Sequence, residues 1–137
     1  MNQKYEKIYQ AVYAARNHAY VPYSRFKVGA ALLLRDGTVI TGANIENASY
    51  SLAICAERSA LAAAYSTGIR KEDIELLAVI GDTAQPTAPC GACRQVISEL
   101  MMPEAEIILF NLKQDIKILK AKDLLPFPFT EDDLNNE

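Results

Sequence analysis

Cysteine, histidine and clustered positive charge are all scarce in this chain, and long apolar runs are missing. Of 137 residues three are cysteine and one is histidine, while 14 Lys and Arg stand against 17 Asp and Glu for a net charge of −3. An odd number of thiols cannot be consumed by a closed set of disulfides, and two of the three are spaced for a metal, which points to a reducing, cytoplasmic setting. The first ten residues hold no apolar leader core and no run of about 18 apolar residues occurs, so neither export nor a membrane span is expected. The basic residues are scattered along the chain. Phosphate backbones are bound by massed positive charge that displaces counterions, so no obligate nucleic-acid partner is expected, and a small uncharged substrate is. Repeats, linkers and low-complexity blocks are also missing, which leaves one domain over residues 1–137, long enough to bury about 70% of its unfolded surface.

What the chain does carry is a pair of short words, CysAlaGlu at 55–57 and ProCysGlyAlaCys at 89–93. Cys55, Cys90 and Cys93 supply three soft ligands, which hold one zinc ion tetrahedrally and leave a position for water, as a hydrolytic site requires. Glu57 is then a proton shuttle for that water. Residues i and i+3 of a helix lie about 60° apart around its axis, so Cys90 and Cys93 can aim at one ion from a first turn. Cys55 and Glu57, about 200° apart if both were helical, can share an ion only off a helix N-terminus, where the helix dipole also favours thiolate over thiol. Three thiolates and Zn²⁺ sum to −1, which opposes the acidification of a bound water. Arg58 and Arg94 are placed to offset that charge by donating hydrogen bonds to the sulfurs, and at least one of them is expected to do so. A lone CxxC is equally a redox pair or half a structural zinc knuckle, but a four-cysteine structural site lacks its fourth thiol, and His18 sits on a helix far upstream, where a packing or surface role is expected.

Apolar spacing of three and four predicts an amphipathic helix over 5–19, ended by ProTyrSer at 22–24. Residues 27–34, AspGly at 36 and 37, and 38–40 read as a β-hairpin, and the polar stretch 44–51 as a functional loop. A helix over 56–66 stopping at Gly68, a central strand at 76–80, a helix over 91–100, a buried strand at 107–110, a short last strand at 116–119 and a helical turn at 121–125 follow. The tail from about 130 is expected to be flexible. A hairpin followed by helices alternating with apolar strands predicts an α/β fold, a three-layer α/β/α sandwich around a mixed sheet of about five strands.

At this point the chain resembles the cytidine deaminases, in particular the small homotetrameric class with three cysteines at the zinc. The resemblance is carried by ProTyrSerArgPheLysValGlyAlaAla from Pro22, AsnIleGluAsnAlaSerTyr from Asn44, CysAlaGluArgSerAla from Cys55 and ProCysGlyAlaCysArgGlnValIleSerGlu from Pro89. It implies one Zn²⁺ per subunit, a nucleoside substrate and hydrolysis of cytidine or deoxycytidine to the uracil nucleoside and ammonia, with Glu57 moving both protons, in pyrimidine salvage. It also implies that Asn44 and Glu46 hold ribose hydroxyls, that the backbone amide of Ala56 meets the base carbonyl, and that Phe26 walls the base. Tyr50 and Phe129 match positions that reach a neighbouring subunit's pocket in a homotetramer with shared active sites. The ending ProPheProPhe at 126–129 departs from the commoner one by adding Phe127 and Pro128, which makes Phe127 a second candidate for that contact. The rivals are deamination of another aminated heterocycle, editing of cytosine within a polymer, and a non-catalytic zinc module.

Overall fold

Alternation of side chains across the strands decides the architecture. The computed structural model describes residues 1–135, so the last two residues of the tail expected to be flexible lie outside the described part. Strands β1 (Val28–Leu34), β2 (Val39–Ala43), β3 (Ile74–Gly81), β4 (Glu106–Asn111) and β5 (Ile116–Lys120) form one sheet in the order β2-β1-β3-β4-β5. Only the β3/β4 pairing is parallel, and the other three are antiparallel. Among the described residues the α-helices are α1 (Gln3–Arg16), α2 (Ala56–Ser66) and α3 (Gly91–Leu100). Ala31, Leu76, Ala78, Ile80, Ile108 and Phe110 point to one face and pack with Ile8, Tyr9 and Val12 of α1. Their neighbours along the strands, among them Ala30, Leu32, Leu77, Val79, Ile107 and Leu109, pack on the opposite face against Ala60, Leu61 and Ala64 of α2 and Cys93 and Ile97 of α3. The result is the expected three-layer α/β/α sandwich, with its longest strand at the centre. No helix among the described residues is long and apolar enough to cross a membrane.

Several boundaries differ from expectation: β2 continues past 40 to Ala43, β3 starts two residues before 76 at Ile74, and α1 and the 121–125 turn are also set differently. The first helix runs over Gln3–Arg16, starting and ending earlier than 5–19. The Asn2 side chain accepts from Tyr5 N at 2.9 Å and caps its start, and tight bonds from Asn17 N to Ala14 O and His18 N to Ala15 O close its last turn. ProTyrSer is therefore not the stop signal, because Tyr20 has already left the helix to pair with Ile45. At the other end the expected turn over 121–125 contracts to a 3-10 turn, Ala121–Asp123. The hairpin follows its sequence signal: Gly37 adopts φ +93, and Asp36 accepts from Thr38 N at 2.9 Å.

Helix α2 lies close against β2 because of one residue. A Cβ built on Gly42 would stand 2.5 Å from Ala60 N and 2.7 Å from Ala56 O, both helix backbone atoms that cannot swing aside. A Gly42→Ala variant is expected to push α2 off the sheet and lose at least about 1–3 kcal/mol, the usual cost of overpacking. A fall in the urea midpoint checks it. A midpoint equal to the parent's would show that the helix is not held at this distance by the missing side chain.

Candidate active site

Both motif words end up at helix starts. Cys55 is the N-cap of α2 and Cys90 the N-cap of α3, while Cys93 lies in the first turn of α3. Their sulfurs all lie within 4.8 Å of one another, with Cys55 Sγ 3.7 Å from Cys90 Sγ. Two sulfurs bound tetrahedrally at about 2.3 Å to one zinc stand about 3.8 Å apart, so the spacing suits that ion. The protons tell the same story. The Cys55 thiol is pulled down to about 5, first by a hydrogen bond from Cys93 and, against the opposing effect of burial, by Arg58 and Cys90, while Cys93 is pushed well above the usual thiol range by that same bond. Three sulfurs this close cannot all be anionic without a cation, and the protons they otherwise share are what a divalent metal replaces. The group is positioned to hold one metal ion, and zinc is the cofactor that fits it. His18 is exposed and stands outside the group.

Glu57, in the first turn of α2, is buried, with 4% of its surface exposed. Desolvation raises its pKa above the ordinary glutamate range, and the neighbouring Cys55 adds to the rise. It faces a cleft of about 180 Å³ lined by Phe26, Val28, Asn44, Cys55, Ala56, Glu57, Thr87, Ala88 and Cys90. Two sulfurs, a buried carboxyl, an aromatic ring and an amide side chain thus share one opening. The Ala56 amide, at the first position of α2, belongs to the N–H groups a helix leaves without an internal partner. The ring of Phe26 and the side chain of Thr87 meet above Gly81, where a Cβ would stand 3.2 Å from Phe26 Cζ and 2.9 Å from Thr87 Oγ1. Val28, Thr87 and Ala88 carried no signal in the sequence as cleft residues. Only the adjacency of Thr87 and Ala88 to the ProCys word could have suggested them.

Asn44 lines the cleft with its amide already engaged: Oδ1 accepts from Val28 N at 2.9 Å and Nδ2 donates to Phe26 O at 2.7 Å, which holds the segment leading into β1. One N–H and one oxygen lone pair remain. Glu46 lies in an adjoining hollow of about 310 Å³ with Tyr23, Ser24, Asn47, Tyr50 and Ala53. One of its oxygens accepts from Tyr23 N at 3.0 Å and Ser24 N at 3.1 Å, and bonding to Ser24 holds its pKa down. Tyr50 is 76% exposed and Phe129 57%, and neither lines the cleft within this chain. Phe127 is fully exposed, in the left-handed region at φ 51.

The two arginines part company. Arg58 Nη2 donates to Cys55 Sγ at 3.6 Å, whereas Arg94 reaches no sulfur. Its guanidinium instead bonds Pro89 O and Leu124 O, each at 2.8 Å, because the C-terminal segment passes alongside α3 and offers a carbonyl there. Of the two arginines, at least one of which was expected to bond a sulfur, Arg58 does so and Arg94 instead bonds backbone carbonyls. An Arg58→Ala variant is expected to lose about 10–100-fold in zinc affinity or in activity, the usual worth of a group that supports a metal ligand. Chelator competition and steady-state rates measure the two, and a variant unchanged in both would remove Arg58 from the charge balance.

The profile described as "Cytidine and deoxycytidylate deaminase zinc-binding region" matches residues 2–109. A cytidine deaminase of Halalkalibacterium halodurans is 57% identical over 122 residues, covering 89% of this chain and 91% of the relative. That of Sporosarcina psychrophila is 49% identical over 130 residues, covering 95% and 94%. The crystal structure of the Burkholderia pseudomallei cytidine deaminase superposes with a TM-score of 0.89 at 50% identity, covering 94% of this chain and all of that one. The Mycobacterium tuberculosis enzyme gives 0.77 at 38%, with 94% and 99% covered. With a thiol cluster built for one metal ion beside a buried carboxyl, and likeness of this extent on every side, the chain belongs to the cytidine and deoxycytidylate deaminases, a family of hydrolytic deaminases with a zinc-binding region.

Proposed function

We infer that this protein is a zinc-dependent cytidine deaminase that converts cytidine and deoxycytidine to uridine and deoxyuridine and releases ammonia. The observation that carries the reading is a carboxyl with 4% exposure in one cleft with two of the three clustered sulfurs. Cys55, Cys90 and Cys93 would hold the zinc, which would supply the Lewis acidity that makes water a nucleophile near neutral pH. Glu57 takes a proton from the attacking water and hands it to the ring nitrogen N3. As the water oxygen bonds to C4, a C4 hydroxyl forms; Glu57 then takes that hydroxyl's proton and delivers it to the amine, so that the C4 carbonyl forms as the C4–N bond breaks, and one water enters and one ammonia leaves. Burial suits Glu57 to this traffic, because a carboxyl poised above its ordinary pKa both accepts and returns a proton readily. The Ala56 amide donates to the base carbonyl, and Phe26 lies against the ring. Asn44 offers its remaining N–H to a sugar hydroxyl, and Glu46, which lines a separate hollow within this chain, would offer its second carboxylate oxygen to one.

No Lys or Arg lines the cleft, which favours a free nucleoside over a phosphate-bearing polymer. The exposed aromatics Tyr50, Phe127 and Phe129 support assembly as a homotetramer with shared active sites, Phe129 entering a neighbour's pocket; the unpaired thiols fit a reducing, cytoplasmic compartment, and the reaction itself would serve pyrimidine salvage. Purified protein offered cytidine, deoxycytidine, adenosine and guanine, followed by absorbance and ammonia release, tests the reading. Turnover of the two cytosine nucleosides is expected, and none on either would overturn it.

A further inference from the structure

Two side chains that follow the last thiol tie the metal loop to the far end of the chain. Arg94 comes directly after Cys93 and folds back, so that Nε holds Pro89 O at 2.8 Å, the carbonyl immediately before the N-cap Cys90. The other edge of the same guanidinium, Nη1, holds Leu124 O at 2.8 Å. A guanidinium is a rigid plane, so the two carbonyls are fixed relative to one another as well as to α3. Gln95 Nε2 then donates to Phe129 O at 2.9 Å. Upstream, the segment is pinned by Ala121 N to Ala105 O and Lys122 N to Pro103 O. Leu124 is buried and Leu125 and Pro128 half-buried, whereas Phe127 and Phe129 are exposed, so the end of the segment is held by the bond from Gln95 together with partial packing. Cys90 is itself exposed and, as an N-cap in extended conformation, takes its orientation from the peptide that precedes it.

We propose that Arg94 is a positioning residue that, with Gln95, couples the grip of Cys90 on zinc to the placement of the C-terminal segment 124–129. The coupling rests on the zinc reading above. Movement of the segment turns the guanidinium, releases the Pro89 carbonyl and loosens Cys90. By reciprocity, a metal held firmly by Cys90 steadies the segment that carries Phe127 and Phe129.

The test uses the zinc-loaded full-length protein. Metal content of the parent is measured first, since a parent without zinc would overturn the site assignment itself. Zinc release to the chelator 4-(2-pyridylazo)resorcinol is then timed for the parent, Arg94→Met, Arg94→Lys and Gln95→Ala, alongside hydrogen exchange of the amides of Leu124, Leu125, Phe127 and Phe129. Arg94→Met should release zinc about 10-fold faster, the lower range for a lost supporting bond, and its amides should exchange faster. Arg94→Lys keeps charge and stem but cannot bridge both carbonyls, and it should do the same even if the methionine variant folds poorly. Gln95→Ala, which touches neither the loop nor a ligand, should also accelerate release, by a smaller factor. A parent that holds zinc while both Arg94 variants release it at the parental rate overturns the coupling alone. So does a Gln95→Ala variant whose segment exchanges faster while its zinc release is unchanged, because the bonds would then only hold the segment down.

Discussion

Replacing Glu57 by Gln should lower kcat by about 10²–10⁴ while leaving zinc content and the unfolding midpoint near those of the parent. The substitution keeps volume and hydrogen-bonding shape in a position with 4% exposure, so no cavity forms and no unpaired charge is buried. What disappears is a group that can take a proton from water and give it to the ring. Parallel measurements of kcat, KM and bound zinc separate this from trivial causes. If the chain were a zinc-stabilised binding module, or if another group moved the proton, kcat for cytidine would survive, and parental turnover in this variant would remove Glu57 from the chemistry. A rise in KM with unchanged kcat would equally count against it, as the sign of a group that merely binds substrate.

The second large effect concerns the metal. Cys55→Ala removes the one sulfur contributed by α2 and leaves the two of α3, so dialysed protein should retain little zinc and show no deamination above background. The side chain is only half-buried and makes no cap hydrogen bond, so a stable fold is expected when zinc is present in excess. Elemental analysis and the cytidine assay on the same sample decide the matter. Full zinc content in this variant would mean that the ion is held elsewhere.

Much of this was legible in the residues because it is local. Helix α2 keeps its predicted bounds since Cys55 ends the irregular stretch and Gly68, at φ +95, supplies the left-handed exit. The thiol cluster follows from two words of fixed spacing. What could not be read depends on partners set by tertiary structure. Arg94 faces Leu124, 30 residues downstream, and Glu46 caps the Tyr23 and Ser24 amides, more than twenty residues upstream, so neither role leaves a mark in a local pattern. The early end of α1 lay in a tight turn at Asn17 and His18, which outweighed the more conspicuous proline at 22. Thr87 enters the cleft only because Gly81 leaves space above β3.

Cys55 and Cys90 sit 35 residues apart along the chain, on helices that become neighbours only once β1 and β3 are in register. Gathering them in a disordered polypeptide would cost about 3 kcal/mol of loop-closure entropy, a cost the assembled sheet has already met. The ion therefore favours the finished tertiary arrangement over any half-built intermediate, which could offer it only the close pair from α3. A metal held by all three sulfurs is thus an arrangement that only the assembled sheet offers. Newly synthesised chains should acquire zinc late, after topology is complete, and a correctly loaded molecule carries its own certificate of having folded.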